Sequence, residues 1–149
     1  VEAGESLGFL PGDLKDKIDP YLAPLYDALH ELLPKNKIQN FLDRGIIEII
    51  PLAYMRGRTF KNAIILADEM QNATQEQMKM LLTRIGDNSK LIVNGDLAQH
   101  DRGYADNGLL NFLQRLKQDA SQMMGLIEFG SKEIERHPAV SEVLRIYQS

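Results

Sequence analysis

The segment Ala63–Glu69 limits the fold of this 149-residue chain more than any other part of the sequence. Five small or apolar residues, Ala63 to Ala67, are followed directly by the carboxylates Asp68 and Glu69. A strand of this composition is typical of a parallel sheet in which both faces are buried. In open α/β sheets, ligands bind at the carboxyl ends of the strands. The sequence therefore predicts an α/β fold with a site where this strand ends.

A second apolar strand with a polar end is predicted at Leu91–Asn94. The turn Gly95–Gln99 follows it, and Gly95 permits a tight turn or a close approach of another backbone. Because parallel strands bring their carboxyl ends to one sheet edge, we expect Asp96 and Gln99 near the two acids of the first strand. The alternative is that the acids only cap loops and that the glutamine is solvated.

Carboxylates and neutral amides are suited to phosphoryl transfer, in which Mg²⁺ neutralises charge and a further group orients water. Asp68 is suited to holding the metal, and Glu69 is suited to polarising the water. Gln71 or Gln99 can donate to a γ-phosphate oxygen and accept from water at once. This is the arrangement of a Walker B strand, although the chain contains no glycine-rich phosphate loop before it.

Helical periodicity, caps and short apolar runs predict the other elements. Alternation of strands with helices indicates one α/β domain over residues 1–149 with a largely parallel sheet. The first predicted helix starts near Asp13, is interrupted at Pro20 and Pro24, and continues over Leu25–Leu33. The other predicted helices are Lys35–Asp43, Gln75–Arg84 with a Thr74–Gln77 capping box, Leu109–Lys117 and a final helix that begins at Ser131. The predicted strands are Ile46–Ile50, Ala63–Ala67, Lys90–Asn94 and Leu126–Phe129.

Composition excludes several classes of protein. The chain has no apolar run near 18 residues and no charged-then-apolar leader, so neither a membrane span nor a signal peptide is expected. It has no cysteine and three scattered histidines, which argues against disulfides, a thiolate nucleophile and a zinc site. The net charge of −4 argues against a general nucleic-acid coat but not against a local basic groove. A cytoplasmic setting fits these features.

Taken together, the motifs resemble the PhoH-like family, P-loop ATPases related to superfamily 1 helicases. The resemblance implies a RecA-like fold, binding of ATP and Mg²⁺, and ATP hydrolysis, with a less secure link to RNA or DNA. It assigns Mg²⁺ to Asp68, the catalytic carboxylate to Glu69, and γ-phosphate sensing to Gln71 and Gln99. The matching blocks are Glu2–Glu5, Leu7–Gly12, Pro20-Tyr21, Tyr26-Asp27, Pro51–Thr59, Asp68–Asn72, Gly95–Gln99 and Arg136–Pro138.

The chain departs from the family pattern in two respects. Met70 replaces the usual alanine beside the catalytic acid, a change of packing rather than of chemistry. The family's loop ending in Gly-Lys-Thr belongs upstream of Val1, so we expect this chain to be the C-terminal part of a longer protein and to bind ATP weakly alone. Without the strand that leads into that loop, Leu91–Asn94 becomes an apolar edge, and the isolated chain is expected to be poorly soluble.

The remaining candidates are basic. Arg56, Arg58 and Lys61 precede the first strand together with Tyr54. They suit a grip on single-stranded nucleic acid, an arginine reaching the γ-phosphate of a neighbouring subunit, or a solvated loop. Arg102, after the second strand, is a candidate for nucleotide or partner contact.

Asp96, at the turn after the second strand, is a further candidate for contact with the nucleotide. Two other functions stay open at this point. One is a non-catalytic nucleic-acid-binding or interaction module that retains the fold, and the other is a metal-dependent nuclease using Asp68, Glu69 and Asp96. A homo-oligomer is expected by analogy with RecA-like ATPases.

Overall fold

The computed structural model describes residues 14–97, 106–119, 121–130, 133 and 138–147, with the side chains of 14–21, 141 and 144 left out. The chain divides after Gln118 into two compact units. The elements of the first unit are α1 (Leu14–Leu32), α2 (Lys35–Asp43), a 3₁₀ turn (Leu52–Tyr54), β1 (Ile64–Ala67), a second 3₁₀ turn (Met70–Asn72), α3 (Gln75–Leu82), β2 (Lys90–Val93) and α4 (Gly108–Gln118); the second unit contains α5 (Pro138–Tyr147).

A small parallel sheet lies at the centre of the first unit. Strands β1 and β2 pair in parallel from Ile64 opposite Lys90 to Ala67 opposite Val93, and α3 lies in the connection between them. A single parallel bridge, Phe60 to Ile85, precedes the strands. The predicted α/β class with a parallel sheet is therefore confirmed for the described residues.

Polar side chains join the two strands at their amino ends. The Asn88 side-chain amide donates to the Asn62 side-chain oxygen at 3.0 Å. The Ser89 hydroxyl accepts from the Ala63 N–H at 3.1 Å and donates to the Phe60 carbonyl at 3.0 Å. Both asparagines have φ near +55°, a left-handed conformation that asparagine adopts more readily than most residues.

Helix α3 begins with the predicted capping box. The Thr74 hydroxyl accepts from the Gln77 N–H at 3.2 Å, and the Gln77 side chain accepts from the Thr74 N–H at 2.9 Å. The helix ends at Leu82, two residues before the predicted end, and Arg84 donates from Nε to the Met80 carbonyl at 3.1 Å. Arg84 thus complements the carboxyl end of the helix, as expected for a cation there.

The core lies between one face of the sheet and helices α3 and α4. Met78 and Leu81 of α3 are at most 2% exposed, and Leu109 of α4 packs in the same cluster with Ala67 of β1. The other buried members are Met55, Met70 and Ala73. The loops on either side of β1 are therefore anchored in the same core as the sheet.

Burial of β1 on both faces was predicted, and this is wrong for this chain. Ile64 is 79% exposed and Leu66 is 59% exposed, whereas Ala67, pointing the other way, is buried. Ile92 of β2 is also 45% exposed. The described helices of this unit cover one face of the sheet and leave the other face open.

Two predicted strands are absent from the described residues. After α2, Gly45 takes φ +64°, and the N–H groups of Ile46 and Ile47 donate to the Phe41 carbonyl. The Ile46–Ile50 segment is therefore turned back against the helix end and forms no ladder. In the second unit, Leu126–Phe129 is irregular and exposed.

The proline punctuation predicted for the first helix is also wrong. Helix α1 runs without interruption through Pro20 and Pro24. A proline removes one backbone hydrogen bond and bends a helix, and neither effect alone has to end it.

The open sheet face leads to a prediction for the isolated chain. Replacing Leu66 by lysine should reduce self-association at unchanged helix content, because an exposed apolar side chain becomes charged. Light scattering at increasing protein concentration measures the effect. Ala67→Lys on the buried face is the matched control and should unfold the unit. A monodisperse, cooperatively melting wild-type chain would contradict the expected association.

Candidate functional site

Asp68 and Glu69 lie at the carboxyl end of β1, and both are exposed. Glu69 has φ +56° and ψ +35°, a left-handed backbone that is uncommon for a residue other than glycine. The Asp68 carboxylate stabilises this turn, because its Oδ1 accepts from the Glu69 N–H at 3.0 Å. Strained turns of this kind are found most often at functional sites.

Gln71 joins this turn to the loop that follows β2. Its side chain is 2% exposed, and its Nε2 donates to Oε2 of Glu69 at 2.5 Å. Its Oε1 accepts from the Asp96 N–H at 3.1 Å. The amide is therefore used at both ends, and one buried side chain connects Glu69 with the backbone at Asp96.

Backbone contacts hold the same two loops together. The Asn94 N–H donates to the Ala67 carbonyl at 3.0 Å, and the Met70 N–H donates to the Asn94 carbonyl at 3.1 Å. These bonds continue the parallel ladder beyond the last strand residues. The two strand ends are thus fixed relative to each other by backbone and side chain together.

Gly95 is required by this close approach. A Cβ at this position would lie 2.6 Å from Oε1 of Gln71, 2.8 Å from Cδ2 of Leu109 and 2.9 Å from the backbone nitrogen of Gln71. Real Cβ atoms do not approach other atoms so closely. Of the two alternatives predicted for Gly95, a tight turn or a close backbone approach, the second is observed at the Gln71 backbone nitrogen.

The amino end of α4 packs against the loop after Glu69, which the sequence reasoning missed. The Asn107 side chain is 1% exposed, and its Oδ1 accepts from the Leu110 N–H at 2.9 Å as an N-cap. The Gly108 N–H donates to the Ala73 carbonyl at 2.8 Å, and a Cβ on Gly108 would clash with the Thr74 carbonyl. Asn107-Gly108 directly before an apolar helical pattern was the available signal.

Of the predicted site residues, the structure brings together Asp68, Glu69, Gln71 and the turn at Asp96. Gln99 and Arg102 lie outside the described residues, as do Arg136 and His137. The roles assigned to all of them stay predictions.

The described part of the chain contains no group of three or more histidine, cysteine, aspartate or glutamate side chains suited to a metal ion. Asp68, Glu69 and Asp96 are therefore not such a group. Mg²⁺ is commonly held by one or two carboxylates, with water and phosphate oxygens completing its shell. Asp68, to which the resemblance assigns Mg²⁺, offers one such carboxylate.

The basic loop before β1 divides into paired and unpaired cations. Arg58 forms a two-pronged ion pair with Glu48 at 2.7 and 3.0 Å, and its guanidinium lies 4.8 Å from the Phe60 ring centre. The hydrogen bonds lower the pKa of Glu48 and raise the pKa of Arg58. Lys61 lies 3.7 Å from Asp87 in an exposed pair. Arg56 is exposed and has no ion pair among the described residues.

Comparison with known proteins identifies the class of α/β protein to which this arrangement belongs. Residues 1–148 match the profile of the family described as "PhoH-like protein". The chain is therefore a member of the PhoH-like family.

Individual relatives agree with this assignment. The chain is 51% identical over 149 residues to a PhoH-like protein of Bacillus subtilis (strain 168), covering 99% of this chain and 46% of that relative. It is 47% identical over 148 residues to a PhoH-like protein of Synechocystis (99% and 45% covered), and 45% identical over 151 residues to Protein PhoH of Escherichia coli (strain K12), with 99% and 42% covered. The chain thus spans less than half the length of these relatives.

A search of the described residues for a helix long and apolar enough to cross a membrane finds none.

The contacts of Gly95 give a stability prediction. Gly95→Ala should destabilise the protein by about 1–3 kcal/mol, because the new methyl group overlaps Gln71 and Leu109. Urea denaturation measures the change. Gly125→Ala, where a Cβ meets nothing within 4 Å, is the control and should leave the midpoint nearly unchanged. Equal midpoints for both variants would contradict the described packing.

The Arg58–Glu48 pair gives a pH prediction. Because the pKa of Glu48 is lowered in the folded state, the pair stabilises the fold above the pKa of Glu48 in the unfolded chain and loses this effect as the pH falls through its folded pKa. Wild type should therefore exceed Glu48→Gln slightly in urea midpoint at pH 7, and the two should converge in acid. A constant difference across this range would show that the carboxylate charge is not the cause.

Proposed function

We propose that the chain carries the hydrolytic half of an ATPase site within a RecA-like fold. The observation that supports this most directly is the exposed pair Asp68 and Glu69 at the end of a parallel strand, joined through Gln71 to the turn after the neighbouring strand. This is the edge at which α/β sheets bind ligands. Membership of the PhoH-like family, whose motif Asp68–Asn72 resembles, adds to this support.

In this proposal, Glu69 is the general base that orients and polarises the attacking water. Its Oε2 is held by Gln71, which leaves Oε1 for the water. Asp68 uses Oδ1 to hold the backbone of Glu69, which leaves Oδ2 for Mg²⁺ or for its water shell. When bound, Mg²⁺ would neutralise charge on the β- and γ-phosphates.

Gln71 would act as a positioning residue between the two loops. The Gln71 Nε2 binds the Glu69 carboxylate, and the Gln71 Oε1 binds the Asp96 N–H. A γ-phosphate that moves the Glu69 carboxylate would therefore also move the amide that holds the Asp96 backbone. The γ-phosphate sensing assigned to Gln71 would then be transmitted through the turn at Asp96. Asp96 and the predicted partners Gln99 and Arg102 would contact the nucleotide from this second loop.

ATP turnover is proposed for the longer protein, because the chain spans less than half of its relatives. The phosphate-binding loop would come from the remainder. We also propose that the longer protein is a cytoplasmic homo-oligomer and that it acts on RNA or DNA.

The proposal predicts the effect of removing the base. Glu69→Gln in the longer protein should lower ATP hydrolysis by at least about a hundredfold, the usual minimum contribution of a general base, while ATP binding is retained. Phosphate release measures turnover, and a fluorescent ATP analogue measures binding. Glu76→Gln, an exposed acid in the first turn of α3, is the control and should keep full activity.

Unchanged turnover in Glu69→Gln would remove Glu69 from this role. Absence of turnover in the wild-type protein, together with nucleic-acid binding, would favour the non-catalytic module instead.

A further inference from the structure

The turn before β1 is anchored in the core by Met55 and closed by two local backbone hydrogen bonds. Met55 is 6% exposed and belongs to the core cluster. The N–H of Tyr54 donates to the Pro51 carbonyl at 2.9 Å, and the N–H of Arg58 donates to the Met55 carbonyl at 3.1 Å. Gly57 completes the turn with φ +81°, a conformation that favours glycine.

The side chain of Arg58 forms part of this anchor. Both of its terminal nitrogens bind Glu48, and its carbonyl accepts from Arg84 at 3.2 Å. Its cationic plane also packs on Phe60. Arg58, one of the candidates for nucleic-acid or intersubunit contact, therefore already binds Glu48 and packs on Phe60 of its own chain.

Two side chains project from this anchored turn. Tyr54 is 57% exposed, and Arg56, which follows the buried Met55 in the sequence, is exposed as well. Neither side chain has a hydrogen bond or ion pair in the part of the chain that the structure describes. The packing of this unit does not require an exposed tyrosine ring and an unpaired guanidinium two positions apart in the sequence.

The local charge of this segment is positive although the whole chain carries −4. From residue 49 to residue 67 the sequence contains Arg56, Arg58 and Lys61 and no acidic residue. Two of these cations are paired, Arg58 with Glu48 and Lys61 with Asp87, so Arg56 carries the positive charge that is unpaired within the described ranges. An anionic partner would therefore meet no carboxylate from this segment.

We propose that Tyr54 and Arg56 form a contact for single-stranded nucleic acid, in which Tyr54 stacks on a base and Arg56 binds a backbone phosphate. Proteins that bind single strands combine these two interactions. A single strand fits better than a duplex, because the faces of its bases are accessible to an aromatic side chain. An arginine acting on a neighbouring subunit's nucleotide would use Arg56 alone and leave the exposed Tyr54 without a role. The contact rests on the action on RNA or DNA included in the proposed function, and it does not depend on ATP hydrolysis.

The experiment measures binding of a fluorescein-labelled single-stranded oligouridylate of about 20 nucleotides to the longer protein without nucleotide, by fluorescence anisotropy. Tyr54→Ala should weaken binding at least fivefold, and Tyr54→Phe should restore it, because the ring and not the hydroxyl makes the stack. Arg56→Ala should weaken binding and lower the slope of log affinity against log salt by about 0.7, the value for one phosphate contact on a single strand. A duplex of the same length should bind more weakly than the single strand.

Two controls separate this contact from general effects. Lys79→Ala removes an exposed cation of α3 and should leave binding unchanged. Melting temperatures equal to wild type for Tyr54→Ala and Arg56→Ala show that the fold is intact, which their exposure predicts.

Wild-type affinity in both variants would overturn the proposal, as would a wild-type protein that does not bind the oligonucleotide. Loss of ATP hydrolysis in Arg56→Ala at unchanged oligonucleotide affinity would also overturn it and would assign the arginine to a subunit interface. None of these outcomes bears on Glu69, whose role is tested separately by Glu69→Gln.

Discussion

The side-chain amide of Gln71 is the interaction on which the geometry of the site depends. It is buried, and it binds the Glu69 carboxylate at one end and the Asp96 N–H at the other. A buried polar group that loses its partner costs about 1–3 kcal/mol, so this amide adds to the backbone hydrogen bonds that hold the two loops together. The glycine at position 95 follows from the same constraint, because only a residue without a Cβ leaves room for the amide oxygen.

The loops before and after β1 have the same arrangement of one buried methionine and neighbouring exposed polar residues. Each places a buried methionine next to exposed polar groups: Met55 lies between Tyr54 and Arg56, and Met70 follows Glu69. The methionines pack in one core, so both loops are fixed to the sheet by apolar contacts and then oriented by a polar bond. Exposed side chains on such loops lose little conformational freedom of the backbone when they bind a ligand, which favours affinity.

Local patterns were sufficient to predict part of the structure. The α3 capping box depends on residues three apart, and the positions of the acids after β1 follow from a strand of five apolar residues. Features that depend on distant partners were not predictable. The Arg58–Glu48 pair requires a turn that no short pattern specifies, and the apolar run Ile46–Ile50 was wrongly assigned to a strand because the bonds to the Phe41 carbonyl are invisible in the sequence.

The apolar character of both faces of β1 has a consequence for how its pairing with β2 is chosen. A slip by one residue normally brings apolar side chains into water and is rejected for that reason. In β1 such a slip would exchange Ile64 and Leu66 for Ile65 and Ala67, so hydrophobicity alone discriminates poorly. The register of β1 against β2 is therefore determined by the polar hydrogen bonds beyond each strand end, which involve Ser89 at one end and Gln71 at the other. The residues that shape the site also select the alignment of the sheet that carries it.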